Sequence, residues 1–143
     1  MSRLGPLTID ASVFLNAVNP PEVGHERSRA LLARLRTEAD PIIVPTLLLP
    51  EVAGAIARGR QDAALARDVA RTISRLPHLV LVALTTVLAQ RALEVAAEHR
   101  LRGSDAVYAT VAMQFGTTLV TLDREQRERV SRAVPTKSPA DLV

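Results

Sequence analysis

Four acidic residues stand where a parallel α/β protein does its chemistry. Asp10 directly follows the apolar run Leu7-Thr8-Ile9, and Asp123 directly follows Thr118 to Leu122. Asp105 opens an apolar helical segment, and Glu51 lies in the first turn of another, after Leu49-Pro50. Carboxylates are hard oxygen donors suited to Mg²⁺ or Mn²⁺, ions that keep several waters and need only a few protein oxygens. One or two such ions can activate a water and stabilise the leaving oxygen of a phosphodiester. Without a cation the same acids repel one another, and some take up protons. Singly, each acid has an ordinary structural explanation. Asp10 suits a turn after a strand, Asp105 beside Ser104 is a favourable charge at a helix start, and Asp123 with Gln126 has the look of a capping box. Glu51 resists such an explanation, because an unpaired carboxylate is costly in its apolar surroundings.

The elements that must position these acids can be read from punctuation and periodicity. After Gly5-Pro6, Leu7 to Ile9 is a short strand, followed by a helix to about Ala17 with Ser12 as its N-cap. Asn19-Pro20-Pro21 ends it. A second helix is predicted from about His25 to Ala39, and Ile42 to Val44 is a buried strand between Pro41 and Pro45. A third helix covers Leu47 to Arg58, with Pro50 tolerated in its first turn and Gly59 as its stop. A fourth runs from Asp62 to Leu76. Leu79 to Ala83 is a strand, Thr85 or Thr86 caps a helix to His99, and a nearly all-apolar helix runs from Asp105 to Phe115 until Gly116. Thr118 to Leu122 is a strand, Asp123 to Arg132 a short charged helix, and Val134 to Lys137 a last edge strand. Short apolar strands alternating with helices imply a parallel sheet covered on both faces. Such sheets bind ligands beyond the carboxyl ends of their strands.

Composition narrows the functional classes. The 143 residues suit one domain, with apolar residues at 48 % and aromatics at only 2 %, which argues against nucleic-acid binding by base stacking. The net charge of +3 is compatible with a phosphate-bearing partner without requiring one. The absence of cysteine excludes disulfides, thiolate nucleophiles and Cys-ligated zinc. The N-terminus has no signal-peptide pattern, and the longest apolar run, Leu79 to Leu84, is too short for a membrane span, so a cytoplasmic protein is expected. His25, His78 and His99 lack metal-ligand spacing and are expected at the surface or at a rim. Tyr108 is expected to pack in its buried helix. Arg100, Arg102 and Arg124 flank the acids and could contact phosphates, or could simply form a solvated face.

Thr8-Ile9-Asp10-Ala11-Ser12, Leu49-Pro50-Glu51-Val52, Arg102-Gly103-Ser104-Asp105-Ala106-Val107-Tyr108 and Thr121-Leu122-Asp123 resemble, in order and separation, the four signature blocks of PIN-domain nucleases. The chain as a whole is most similar to the VapC toxins of toxin–antitoxin pairs. The resemblance implies a single PIN domain over 1–143, a three-layer α/β/α fold with a short, mainly parallel central sheet. It implies an endoribonuclease using Mg²⁺, for which Mn²⁺ may substitute. Asp10 and Asp105 would be the primary metal ligands. Glu51 and Asp123 would bind through water, complete a second metal site or orient the attacking hydroxide, and Ser12 and Thr121 would support that shell. It further implies an RNA substrate, a homodimer, and a cognate antitoxin whose tail places a basic side chain among the acids. The alternative is a catalytically silent PIN-like scaffold that binds RNA or a partner protein. A receiver domain fits poorly, because Leu79 to Ala83 leads into Leu84-Thr85 with no acceptor Asp. A haloacid-dehalogenase-type phosphatase fits poorly too, because Ser12 stands where its second acid belongs.

Overall fold

The computed structural model describes residues 3–143. In chain order the elements are β1 (Leu7–Ile9), α1 (Ala11–Ala17), α2 (His25–Leu35), β2 (Ile42–Pro45), α3 (Leu48–Arg60), α4 (Ala63–Ser74), β3 (Leu79–Val82), α5 (Thr86–His99), α6 (Gly103–Phe115), β4 (Thr118–Val120), α7 (Arg124–Val130), β5 (Thr136–Lys137) and α8 (Pro139–Leu142). The five strands form one sheet in the order β3-β2-β1-β4-β5, and every pairing is parallel.

The chain begins in the middle of the sheet, builds β2 and β3 on one side, then returns to build β4 and β5 on the other. Right-handed crossovers taken in opposite directions put their helices on opposite faces. The contacts agree: α1 packs on α2 and α3, and α3 on α4, whereas α6 packs on α5 and lies across β1, β2 and β4. The direction reverses between β1 and β4, so the switch point lies between their carboxyl ends. Ile9 pairs with Val120 there, which brings the residues after both strands together.

Leu7, Ile9, Val44, Leu119 and Val120 from the strands and Val13, Phe14, Leu31, Leu48 and Val52 from the helices form the core. Helix α6 buries every residue from Ala106 to Ala112, as its all-round apolar sequence predicts. Small residues at Ala106, Ala109 and Ala112 bring its backbone close to the sheet. Gly116, with φ of +64°, closes the helix in the left-handed conformation that glycine adopts without strain.

Several boundaries differ from the sequence reading for local reasons. Helix α2 ends at Leu35, not Ala39, where Thr37 turns back onto the Arg34 carbonyl. Gly59 lies inside α3, and Gln61, in the left-handed region at φ of +51°, ends it instead. Helix α6 starts at Gly103, two residues before Asp105. The last strand is confined to Thr136–Lys137, and the short helix α8, capped by reciprocal Ser138 and Asp141 bonds, was not anticipated. Strand β3, read as simply apolar, is a sheet edge that leaves Val80 and Leu81 exposed. His25 corrects the expectation of surface histidines: it is buried, and its Nδ1–H donates to the Asn16 carbonyl at 2.8 Å.

One buried polar contact supports the central strand. The Thr8 and Thr117 hydroxyls lie 2.6 Å apart, both removed from water. Thr8→Val strands the Thr117 hydroxyl, so urea unfolding should show a loss of about 1–2 kcal/mol. The Thr8→Val/Thr117→Val double variant should recover most of it, because matched apolar replacement leaves no orphaned group.

Candidate active site

Asp10 is the N-cap of α1. Its backbone is extended (φ −80°, ψ 170°), and its Oδ1 accepts from the Ser12 amide at 3.0 Å and from the Ser12 hydroxyl. The expectation that Ser12 caps this helix is therefore corrected. Ser12 lies inside the first turn, and the aspartate two residues earlier takes the cap because its longer reach meets the free amide. Ser12 has a different task. Its Oγ also accepts from the Leu122 amide at 3.2 Å, tying the junction after β1 to the junction after β4. The Asp10 amide donates to the Val120 carbonyl across the same gap at 3.1 Å.

Asp123 is the N-cap of α7, with Oδ1 accepting from the Gln126 amide at 3.1 Å, and the buried Thr121 Oγ1 accepts from the Asp123 amide at 3.0 Å. The predicted capping box is only half formed. The Gln126 side chain turns away from the cap and donates to the Asp105 carbonyl at 3.3 Å, clamping the start of α6 to the start of α7.

Asp105 stands in the first turn of α6 and Glu51 in the first turn of α3. Tyr108 lies one turn after Asp105, on the same side of α6, and its hydroxyl donates to Glu51 Oε1 at 2.7 Å. Arg102, the N-cap residue of α6, reaches Asp105 Oδ2 through Nε at 3.3 Å and Asp123 Oδ2 through Nη2 at 2.9 Å. The structure thus gathers Asp10, Glu51, Asp105 and Asp123 around the switch point. Neither Tyr108 nor Arg102 was expected in these roles, although the three-residue spacing of each from Asp105 was the available signal. The other two arginines are not joined to the acids: Arg124 pairs with Glu128, and the Arg100 carbonyl accepts from Arg129.

The electrostatics follow from burial. Asp10 is 4 % exposed, and its pKa is pushed up to about 6 by desolvation, with the nearby Asp105 charge adding to it and the Ser12 and Thr121 hydroxyls opposing it. Burial also raises Glu51, where the Tyr108 hydroxyl opposes the shift and the Asp105 charge adds to it. Asp105 is raised by burial too, against the pull of Arg102 and with the push of Asp123. Among the described residues, no ion pair reaches Asp10 or Glu51.

The donor set is all oxygen, and its most buried member lacks a positive partner, which fits a hard divalent cation. Among the described residues no three acidic or histidine side chains converge tightly enough to hold an ion as they stand. Arg102 holds one carboxylate oxygen of Asp105 and one of Asp123. A small cleft of about 170 Å³, lined by Arg102, Asp105, Asp123 and Gln126 among others, opens here. Larger grooves lie elsewhere, between α1, α3 and α4 and between α1, α2 and α4. Among the described residues no helix is long and apolar enough to cross a membrane.

Comparison with known proteins agrees with the fold. The structure is similar to VapC20 of Mycobacterium tuberculosis, a sarcin–ricin loop cleaving toxin, with a TM-score of 0.71 and 17 % identity over 85 % of this chain and 93 % of that one. It is similar to VapBC2 of Rickettsia felis bound to a promoter DNA fragment, with a TM-score of 0.68 and 14 % identity over 93 % of this chain and 98 % of that one. It is also similar to a toxin–antitoxin complex from Klebsiella pneumoniae, with a TM-score of 0.65 and 15 % identity over 94 % and 98 %. No curated protein matches the chain in sequence. The PIN-domain family profile matches residues 7–131, a span that holds all four acids and every strand but the short β5. The chain belongs to the PIN-domain family.

Proposed function

We propose that this chain, acting as one PIN domain, is a metal-dependent endoribonuclease and the toxin of a toxin–antitoxin pair. The observation that carries the reading is Asp10: a carboxylate almost wholly out of water, with the Asp105 charge nearby and no cation of its own among the described residues. Asp10 and Asp105 would hold Mg²⁺ or Mn²⁺, with Glu51 and Asp123 engaging it through water. When bound, the ion supplies Lewis acidity and neutralises charge at the phosphodiester.

The remaining work falls to the chain's own groups. Ser12 fixes Asp10 and ties both strand ends together, so the acids keep their spacing. Tyr108 occupies Glu51 Oε1, which leaves Oε2 to accept a proton from an attacking water. Burial raises the basicity of Glu51, which suits that task.

Support for the toxin assignment comes from the likeness to VapC20, a sarcin–ricin loop cleaving toxin, and to VapBC2 and a toxin–antitoxin complex of the same fold. On this reading the substrate is RNA, the partner is a cognate antitoxin, and the working form is a cytoplasmic homodimer. The test is cleavage of total RNA by the purified chain, freed of any inhibitor, with Mg²⁺, with Mn²⁺ and with a chelator. Discrete fragments that require the divalent ion and are absent with Asp105→Asn are expected. Intact RNA in every condition, from folded protein, would favour the silent scaffold.

A further inference from the structure

Arg102 is the one basic residue whose side chain joins two members of the acidic quartet among the described residues. Its Nε meets Asp105 Oδ2 and its Nη2 meets Asp123 Oδ2, so one guanidinium spans the starts of α6 and α7. The side chain is 77 % exposed, and Asp105 and Asp123 are its side-chain partners among the described residues. Its charge is felt beyond them, lowering the proton affinity of Glu51 as well as that of Asp105.

A divalent cation would compete for the same ground. It needs the carboxylate oxygens that Arg102 occupies, and its charge repels a guanidinium held beside them. Exposed ion pairs are weak and readily exchanged, so the side chain can leave into solvent without disturbing the core.

Resting on the nuclease reading above, we propose that Arg102 is an internal counter-ion that closes Asp105 and Asp123 in the metal-free protein and is displaced by the divalent ion. It thereby raises the metal concentration at which the site fills. The expected order of affinities follows from chemistry. Arg102→Gln removes both the bridge and the repelling charge. Arg102→Lys keeps the charge, but its single ammonium lacks the planar fork that engages two carboxylates in fixed geometry.

Calorimetric titration with Mn²⁺ of the metal-stripped wild type and both variants tests this. Arg102→Gln should bind about threefold to tenfold more tightly than wild type, the range expected from losing a pair of exposed ion contacts. Arg102→Lys should fall between the two, and melting curves in chelator should show all three folded. Unchanged or weaker Mn²⁺ binding by Arg102→Gln, with clear binding by wild type, would overturn the counter-ion role and leave the nuclease reading standing. If RNA affinity measured in an Asp105→Asn background then fell on removing Arg102, the residue would be a phosphate contact instead. Absence of Mn²⁺ binding by every variant would remove the metal site itself, and the inference with it.

Discussion

Asp10→Asn is expected to stabilise the metal-free protein at pH 7.5 and, in the same molecule, to abolish RNA cleavage. The stability half follows from the folded-state pKa of about 6, above the ordinary 3.8. A group raised in this way favours the fold in its protonated form. Its contribution is complete below about pH 4 and is lost as the pH rises through about 6. At pH 7.5 the wild type therefore carries a buried charge. A shift of about two units corresponds to a ceiling of about 3 kcal/mol. Asparagine removes that charge, and its carbonyl can still accept from the Ser12 amide that Asp10 caps. A gain of about 1–3 kcal/mol is the expected net result. Urea melts in chelator check it: the wild type should lose stability between pH 5 and pH 7.5 and the variant should lose less. Some dependence will remain, because Glu51 and Asp105 are shifted in the same direction. The activity half follows from the proposed metal role. Loss of one preorganised electrostatic group in an enzyme costs on the order of 10²–10³-fold, and loss of a primary ligand should cost at least that. A variant that is less stable than wild type in chelator at pH 7.5 would show that Asp10 is compensated in a way its surroundings do not suggest.

The opposite signs matter because they separate a residue kept for the fold from one kept for the chemistry. Gln126 and Thr121 belong to a middle category, holding backbone where the acids need it. The family resemblance implied the supporting role of Thr121, whereas the bond from Gln126 to the Asp105 carbonyl left no mark in the sequence. The strands and the acids were readable because each signal is local: an apolar run ends and a carboxylate follows. Glu51 was readable from its misfit with the leucines around it. Ser12 was misassigned because Asp and Ser are both good caps, and only the three-dimensional path of β4 shows what the serine hydroxyl bonds. Arg102 and Tyr108 could be placed beside Asp105 by helical spacing. Their second partners, Asp123 and Glu51, lie on other elements and depend on how α6 sits against α7 and α3. His25 was taken for a surface residue because its partner is a backbone carbonyl, which leaves no mark in sequence. The exposed edge at β3 was hidden for a similar reason, since an apolar run reads alike whether one flank or two are covered by neighbouring strands.

Tyr108→Phe should lower both stability and activity, and the pH dependence should show why. The Tyr108 ring is 1 % exposed, so phenylalanine fills its place without a cavity and removes only the hydroxyl. Burial and the adjacent Glu51 raise the tyrosine pKa, which keeps the hydroxyl protonated and donating across the working range. Its 2.7 Å bond is the contact that offsets the desolvation of Glu51. Without it, a half-buried carboxylate loses its donor, at a cost of about 1–3 kcal/mol. That bond lowers the Glu51 pKa, so its stabilisation is present at neutral pH and fades as the pH falls through the carboxylate range. The variant should therefore differ most from wild type at pH 7.5 and least near pH 4. Glu51→Gln in the same cycle supplies a neutral partner, and the coupling between the two positions should shrink accordingly. On the reaction, loss of a group that orients an acid at a metal site costs about 10–100-fold. Because Glu51 then becomes harder to ionise, the acidic limb of the pH–rate profile should move to higher pH. A stability loss with an unmoved profile would confine Tyr108 to the core and would take Glu51 out of the proton transfer. A shifted profile would tie the hydroxyl of a buried helix to the basicity of the acid that receives the proton.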